Sequence, residues 1–445
     1  MRFKNWKVNR NAKKSGVLLA AGVLTAQRVL GGSVFMSPPP VVTTPVVAQE
    51  DATNNEMSVF IANGVVNPSE AGLLQYGDVI LHPHVSYNFT YGNGIQSSVG
   101  TQGDTALQQL SPGLTVDLGR HWTADYTPTI NFYSSRQFRN TVDQSASLSG
   151  ATHYQDWSFS GNQNYSSTSD PLTETGAQTS QQSYGTALSA AYDFNDKWSA
   201  NANVQQNINL VSGFQDSYAW TGLGGVSYQF APRLSAGFSA GGGYTRVQTL
   251  GIIPQTTTNA PANAPTTNPD IVNEQGQFNV NWRATDKVSF QASAGLEDQQ
   301  FLASGYKSSL EPIFSAAVQY QPFKVTQISL SASRTVGASD YDISAQSTEA
   351  TTISLNVNQR ILVKYNLNVG FSYTKDQYTE SLNLSGFSVG TERTDNDYSF
   401  NASFGRSFLT YGNWAITYQY SDNQSSSTVF SQRSNQIGFR IGFTY

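Results

Sequence analysis

Strict alternation of apolar and polar residues, repeated along most of the chain, is the feature that most restricts the possible fold. Between residues 198 and 209, for example, Ser, Asn and Gln separate the apolar positions Trp198, Ala200, Ala202, Val204 and Ile208. A period of two residues indicates a β-strand with one apolar face and one polar face. Each such strand needs an apolar medium on one side and water on the other.

Eighteen segments of this kind follow one another from residue 79 onward. Their approximate spans are 79–91, 112–119, 122–134, 144–154, 157–166, 183–194, 198–210, 217–230, 234–246, 276–284, 288–298, 310–320, 325–335, 351–361, 365–375, 396–408, 414–421 and 434–445. Short polar turns join alternate pairs of segments, and longer polar stretches join the others. The longest connection, roughly 247–275, is rich in Thr, Asn, Ala and Pro and favours no core of its own. Pro128 falls inside one segment and lacks a backbone donor, which predicts a β-bulge there.

Composition indicates which medium the apolar faces meet. Charged residues make up 12% of the chain, about half the usual share, while aromatic residues also reach 12%. The mean hydropathy is −0.36, and no apolar run approaches the roughly 20 residues of a transmembrane helix. A soluble β-sandwich would also alternate, but eighteen strands would then need a very large aromatic core. We therefore predict an all-β fold, a transmembrane antiparallel up-and-down β-barrel of about eighteen strands, or sixteen if the first hairpin stands outside it.

The N-terminal region has a different character. Residues 1–26 contain six Lys or Arg followed by a short apolar run, which is the pattern of a signal peptide, with cleavage expected near residue 26 or as late as 48. Residues 27–77 include Pro38-Pro39-Pro40 and are predicted to form a periplasmic linker, followed by the barrel at 78–445. The sequence contains no cysteine, so we expect neither a lipidated N-terminal cysteine nor a disulfide.

The last residues, NQIGFRIGFTY, alternate to the end of the sequence and finish on an aromatic residue. With Phe439, Phe443 and Tyr445 in this pattern, the segment resembles the recognition signal of barrels that are inserted by the outer-membrane assembly machinery. The whole of 79–445 resembles bacterial outer-membrane β-barrel porins, including those associated with exopolysaccharide export. The resemblance implies an outer-membrane location with both termini in the periplasm, and partnership with lipid and with the assembly machinery.

Two groups of residues are candidates for a role in such a barrel. Aromatic residues recur just after the short turns and are predicted to form an interfacial girdle. They are Trp122, Trp157, Trp198, Tyr365 and Trp414. Charged residues at lumen-facing positions are few, and they could tune ion selectivity at the mouths or simply hold the rim in water. They are Asp117, Asp125, Asp193, Arg283, Glu297, Glu311, Arg360 and Arg440.

The neutral polar wall predicts passive diffusion of small polar or neutral solutes, including sugars, through a hydrated lumen. The alternative is a plugged or non-conducting barrel within an envelope assembly such as polysaccharide export. Two stretches match Gly-x-Ser-x-Gly, residues 237–241 inside an alternating segment and residues 386–390 in a long polar connection. Neither follows a strand and opens a helix, as a nucleophile elbow does, so we predict no enzymatic activity and no cofactor. His82 and His84 share a face and lack an identifiable third ligand, so no metal site is predicted. The net charge of −5 gives no reason to expect a nucleic-acid partner.

Association of the barrel into a homotrimer would need a flat patch on the outer wall. Small residues at lipid-facing positions between residues 217 and 246 are the candidate for such a patch. They are Gly222, Gly224, Ala236, Ala240 and Gly242.

Overall fold

The computed structural model describes residues 74–94, 103–136, 138–169, 178–212, 216–248, 270–302, 308–338, 346–362, 364–380, 393–409, 411–428 and 431–445. The predicted signal peptide, nearly all of the predicted linker and most of the 247–275 connection lie outside these residues. The strands are β1 Leu74–Tyr76, β2 Val79–Asn93, β3 Asp104–Leu118, β4 Trp122–Tyr133, β5 Thr141–Tyr154, β6 Trp157–Thr168, β7 Gln181–Asp193, β8 Trp198–Val211, β9 Asp216–Ala231, β10 Leu234–Gln248, β11 Ile271–Thr285, β12 Val288–Phe301, β13 Ser309–Phe323, β14 Thr326–Ala338, β15 Gln346–Ile361, β16 Tyr365–Glu380, β17 Arg393–Phe408, β18 Gly412–Ser425 and β19 Gln432–Thr444. Among the described residues, no helix has the length and apolarity needed to cross a bilayer.

Strands β2 to β19 form one closed antiparallel barrel of eighteen strands. Each strand pairs with its neighbours in sequence, and β19 closes the ring against β2 with Phe439 opposite Phe89. The predicted fold class is thus confirmed, and the sixteen-strand alternative is wrong because the β2–β3 hairpin is part of the wall. The short strand β1 pairs with residues 79–81 of β2. It occupies the part of that strand's edge that β19 does not reach.

The two ends of the barrel differ in the length of their connections. Eight connections of two to four residues join β3 to β4 and the following alternate pairs, while the connections at the other end have four to 22 residues. Gly119 and Gln155 occupy two of the short turns with positive φ, a conformation that tight turns require. Because the strand number is even, Val79 and Thr444 both lie at the short-turn end.

The two faces of the wall differ sharply in polarity. Residues that pair directly across strands point to the same side, so the registers assign every side chain to the outside or to the lumen. Large apolar side chains point outward and stay exposed, as at Phe278 and Phe230, which are 68% and 63% accessible. The apolar side chains that are buried in the described residues are few. They are Val211, Ile271, Ile313, Val336 and Ala350. The wall is therefore a single layer whose apolar face has no protein core to cover it.

Two prolines interrupt the ladder between β3 and β4. The pairing stops after Leu110 opposite Ile130 and resumes at Leu114 opposite Tyr126, so the same register continues on both sides of the gap. Pro112 lies opposite the predicted bulge residue, Pro128, and neither can donate to the other. The predicted bulge is wrong, because no extra residue is inserted and two hydrogen bonds are missing instead.

Restoring these two hydrogen bonds should stabilise the barrel. Replacement of Pro112 and Pro128 together by valine is expected to raise the free energy of unfolding by roughly 1–3 kcal/mol, since each backbone hydrogen bond contributes about 0.5–1.5 kcal/mol. Urea unfolding from lipid vesicles measures the change. Each single replacement restores one donor and should give about half the gain. A double variant no more stable than the native chain would contradict this account of the gap.

Candidate functional site

The lumen wall is built from hydroxyl and amide side chains that hydrogen-bond across neighbouring strands. Ser293 and Ser315 approach to 2.8 Å between their Oγ atoms, and the Oγ1 atoms of Thr352 and Thr374 lie 3.1 Å apart. Such cross-strand pairs arise because the alternation puts the small polar residues of adjacent strands on one face. The wall offers both donors and acceptors, so water and neutral polar solutes can hydrogen-bond along it.

His82 connects the first barrel strands to the last one. Its Nε2 lies 3.1 Å from Asp117 Oδ2, and its Nδ1 lies 3.0 Å from the main-chain oxygen of Tyr445. Thr123 donates to the other oxygen of Asp117 at 2.9 Å. His82 is buried, and its two nitrogens both have partners within the wall. This cluster ties β2, β3 and β4 to the end of β19, which is a structural role at the point of closure.

His84 contacts a different set of residues on the same face. Its Nε2 lies 2.9 Å from Thr127 Oγ1 and 3.9 Å from Asp125 Oδ2. Thr115 donates to Asp125 at 2.7 Å. The two histidines thus have separate partners. Within the described part of the chain, no group of three or more His, Cys, Asp or Glu side chains has the arrangement of a metal site.

The structure places all the predicted lumen charges on the inner face. Near the short turns, Asp193 lies opposite Ser199, Arg360 opposite Asn366 and Arg440 opposite Asn88, while Arg283 follows the outward Trp282.

Two of the predicted charges, Glu297 and Glu311, lie opposite each other toward the long-loop end. Asn273 donates to Glu297 at 3.2 Å, and Glu311 lies 3.4 Å from Arg334, which also pairs with Glu349.

A second group of lumen charges was missed in the sequence. Asp376 lies directly opposite Asp395, and Asp397 and Arg393 occupy the adjacent inward positions of β17. Asp143 also points inward on β5, where Asn131 donates to it at 2.6 Å. The predicted spans began at 144, ended at 375 and began again at 396, so Asp143, Asp376 and Asp395 fell outside them. Continuing the alternation beyond Thr374 would have found Asp376.

The predicted girdle residues point outward at the short-turn end. Trp122, Trp157, Trp198 and Tyr365 are each the first residue of a strand, and Trp414 is the third residue of β18. Other outward aromatic rings lie beside them, as where the Trp157 and Tyr192 centroids lie 4.7 Å apart. Of the terminal residues, Phe439 and Phe443 also point outward. Tyr445 follows β19, and its ring stacks on Tyr411 at 4.9 Å.

The small residues predicted for a trimer contact also point outward. Gly222, Gly224, Ala236, Ala240 and Gly242 pair among themselves or with outward residues of neighbouring strands. Two residues of this patch, Ala240 and Gly242, line a depression of about 490 Å³ in the outer wall, together with Glu274 and Asp298. These two carboxyl side chains lie opposite each other on the outward face, a few residues from the long-loop end.

The wall is a closed ring of paired strands with an apolar outward face and a polar inward face. The fold is a closed antiparallel β-barrel of eighteen strands. Superposition on solved structures gives OpdL of Pseudomonas aeruginosa at 11% identity, covering 83% of this chain and 99% of that one, with a TM-score of 0.43. The siderophore receptor PirA of P. aeruginosa gives 9% identity, 82% and 80% coverage and a TM-score of 0.42. OccAB3 of Acinetobacter baumannii gives 10% identity, 83% and 100% coverage and a TM-score of 0.42.

Likenesses at this level do not transfer a solute or an assembly to this chain. No protein-family model and no curated protein matches the sequence.

Proposed function

We propose that this chain forms a channel in a bacterial outer membrane, through which small polar solutes diffuse passively. The observation that carries the proposal is the closed ring of eighteen strands with opposite polarity on its two faces. In a bilayer, closure satisfies the backbone groups that an open sheet edge would leave unpaired. Barrels of 16 to 18 strands are wide enough to leave an aqueous path between their inward side chains.

The outer wall supports the membrane location. Its exposed aromatic and aliphatic side chains would be a large apolar surface in water, which soluble monomers rarely carry. Outer-membrane barrels have short turns on the periplasmic side and longer loops outside. By this rule the girdle of Trp122, Trp157, Trp198, Tyr365 and Trp414 lies at the periplasmic interface. Both ends of the barrel, Val79 and Thr444, then lie on the periplasmic side.

Solute specificity follows from the inner wall. Its hydroxyl and amide pairs hydrogen-bond to neutral solutes without strong preference, and few aromatic rings face inward to stack against sugars. Tyr133 and Tyr378 are two inward examples, each paired with an inward residue of the preceding strand. We therefore propose selection by size and by charge rather than a dedicated sugar site.

Swelling of proteoliposomes in isotonic solutions of uncharged sugars tests this function. The rate is expected to be high for a pentose and to fall steeply with increasing sugar size, because the lumen has a fixed width. Liposomes without protein are the control. A barrel that is folded, as judged by its heat-modifiable mobility in gels, but causes no swelling would favour the plugged barrel of an envelope assembly instead.

A further inference from the structure

Three carboxylates meet on the inner wall near the long-loop end of the barrel. Asp376 of β16 lies directly opposite Asp395 of β17, and Asp397 lies two positions along β17 on the same face, opposite Thr374. Side chains at directly opposed positions have Cβ atoms about 4.5–5.5 Å apart. Two like charges at this distance repel each other, so this register is costly unless a positive charge lies close by.

The charges available within the wall do not balance the cluster. Arg393 Nε lies 3.1 Å from Asp395 Oδ2, and its guanidinium covers the ring of Tyr378 at 3.9 Å. Asp376 and Asp395 are each 5% exposed. Within the described part of the chain, the Oδ1 atoms of Asp376, Asp395 and Asp397 have no hydrogen-bond partner.

A fourth oxygen on the neighbouring strand adds an independent observation. Thr348 lies on the inner face of β15, opposite Tyr378 and diagonal to Asp376. It is 8% exposed, and its Oγ1 also has no partner among the described residues. Buried oxygens without a donor are rare in proteins and costly, and a bound cation would satisfy them. A cation entering from the lumen would meet oxygens from three adjacent strands.

We propose that Asp376, Asp395 and Asp397, with Thr348 beside them, form a cation-binding subsite that makes the channel selective for cations. This inference rests on the proposed channel function and deepens it. The charges of the remaining lumen support it. Among side chains that are described, nine acidic and four basic residues point inward. The acidic ones are Asp117, Asp125, Asp143, Asp193, Glu297, Glu311, Asp376, Asp395 and Asp397, and the basic ones are Arg283, Arg360, Arg393 and Arg440.

The excess of acidic over basic inward residues is greatest near the long loops. Asp143, Glu297 and Glu311 lie in that half together with the cluster, with Arg334 paired to Glu311. The other three acidic residues lie near the short turns with Arg283, Arg360 and Arg440. A cation that approaches from the long-loop side therefore meets a negative entrance first. Charged rings at a mouth raise the local concentration of ions of opposite sign.

The reversal potential of the reconstituted barrel in a gradient of KCl tests the inference. The native barrel is expected to favour K⁺ over Cl⁻. The double variant Asp376→Asn, Asp397→Asn keeps the Arg393–Asp395 pair and removes two unpaired charges. Two unit negative charges about 10 Å from a passing ion in water attract K⁺ and repel Cl⁻. Their removal is therefore expected to lower the K⁺ to Cl⁻ permeability ratio by roughly twofold or more. The matched control, Glu274→Gln, Asp298→Asn, removes two charges from the outward face and should leave the ratio unchanged.

The possible results separate the two proposals. If no current flows through a folded native barrel, the channel function is overturned and the inference with it. If current flows without preference for K⁺, or with a preference that the lumen variant retains, the inference is overturned and the channel stands. Block of the K⁺ current by spermidine is a second measurement, expected in the native barrel and weakened by Asp397→Asn alone. Retained block in that variant would also contradict the subsite.

Discussion

Removal of β19 together with Tyr445, residues 432–445, is expected to abolish the single-channel conductance of the protein in a planar lipid bilayer. The native barrel should open stable channels, because its lumen is closed off from lipid around the full ring. Without β19, residues His84 to Asn93 of β2 lose their partners on one edge. Residues Gly412 to Asn423 of β18 lose theirs in the same way. Each backbone group left unpaired in hydrocarbon costs several kcal/mol, so the open sheet cannot span.

The matched control for this deletion is removal of residues 1–76 from the other end of the chain. This control takes away β1, which pairs with only three residues of β2, and it leaves the eighteen-strand ring complete. We expect unchanged or larger conductance from it. A larger conductance would indicate that the N-terminal segment occupies the lumen in the native protein. Stable channels from the chain without β19 would contradict the closed barrel as the conducting unit.

An arginine on the outer wall should destabilise the barrel far more than one on the inner wall. Leu330 is 47% exposed, points outward from β14 and is flanked by the outward Val318 and Leu355. Leu330→Arg is expected to lower the free energy of unfolding from vesicles by about 2–4 kcal/mol, the cost of such a charge near the bilayer midplane. Urea titration of the protein in phospholipid vesicles measures this difference.

The neighbouring residue provides the control. Ser331 pairs with Ala317 and Ser354 on the inner face, and it is exposed to the lumen. Ser331→Arg introduces the same side chain one residue away in the same strand. It should change the free energy of folding little, since the guanidinium stays in water. Equal effects of the two variants would argue against lipid on the outer face.

The sequence predicted the number of strands and the side to which most residues point. Both predictions rest on the period of two, which is a local property of the chain. Each of the eighteen predicted segments corresponds to one barrel strand, and the predicted lumen charges all lie on the inner face. The weakest predictions were the strand ends near the long loops. The strand predicted at 112–119 begins at Asp104 in the structure. Pro112 and Gly113 are both unfavourable inside a strand, so the pattern did not indicate that the strand extends before them.

The candidate cation subsite shows what only the tertiary structure could decide. Asp376 lies 19 and 21 residues before Asp395 and Asp397 in sequence, across a long connection whose length says nothing about which residues will face each other. Register also decides that Pro112 lies opposite Pro128 and Glu274 opposite Asp298, although short turns join the strands of these two pairs. The alternation within one strand determines the side of the wall on which a residue lies. Its partners depend on the register between strands, and sliding a strand by two residues would change every partner while keeping both faces intact.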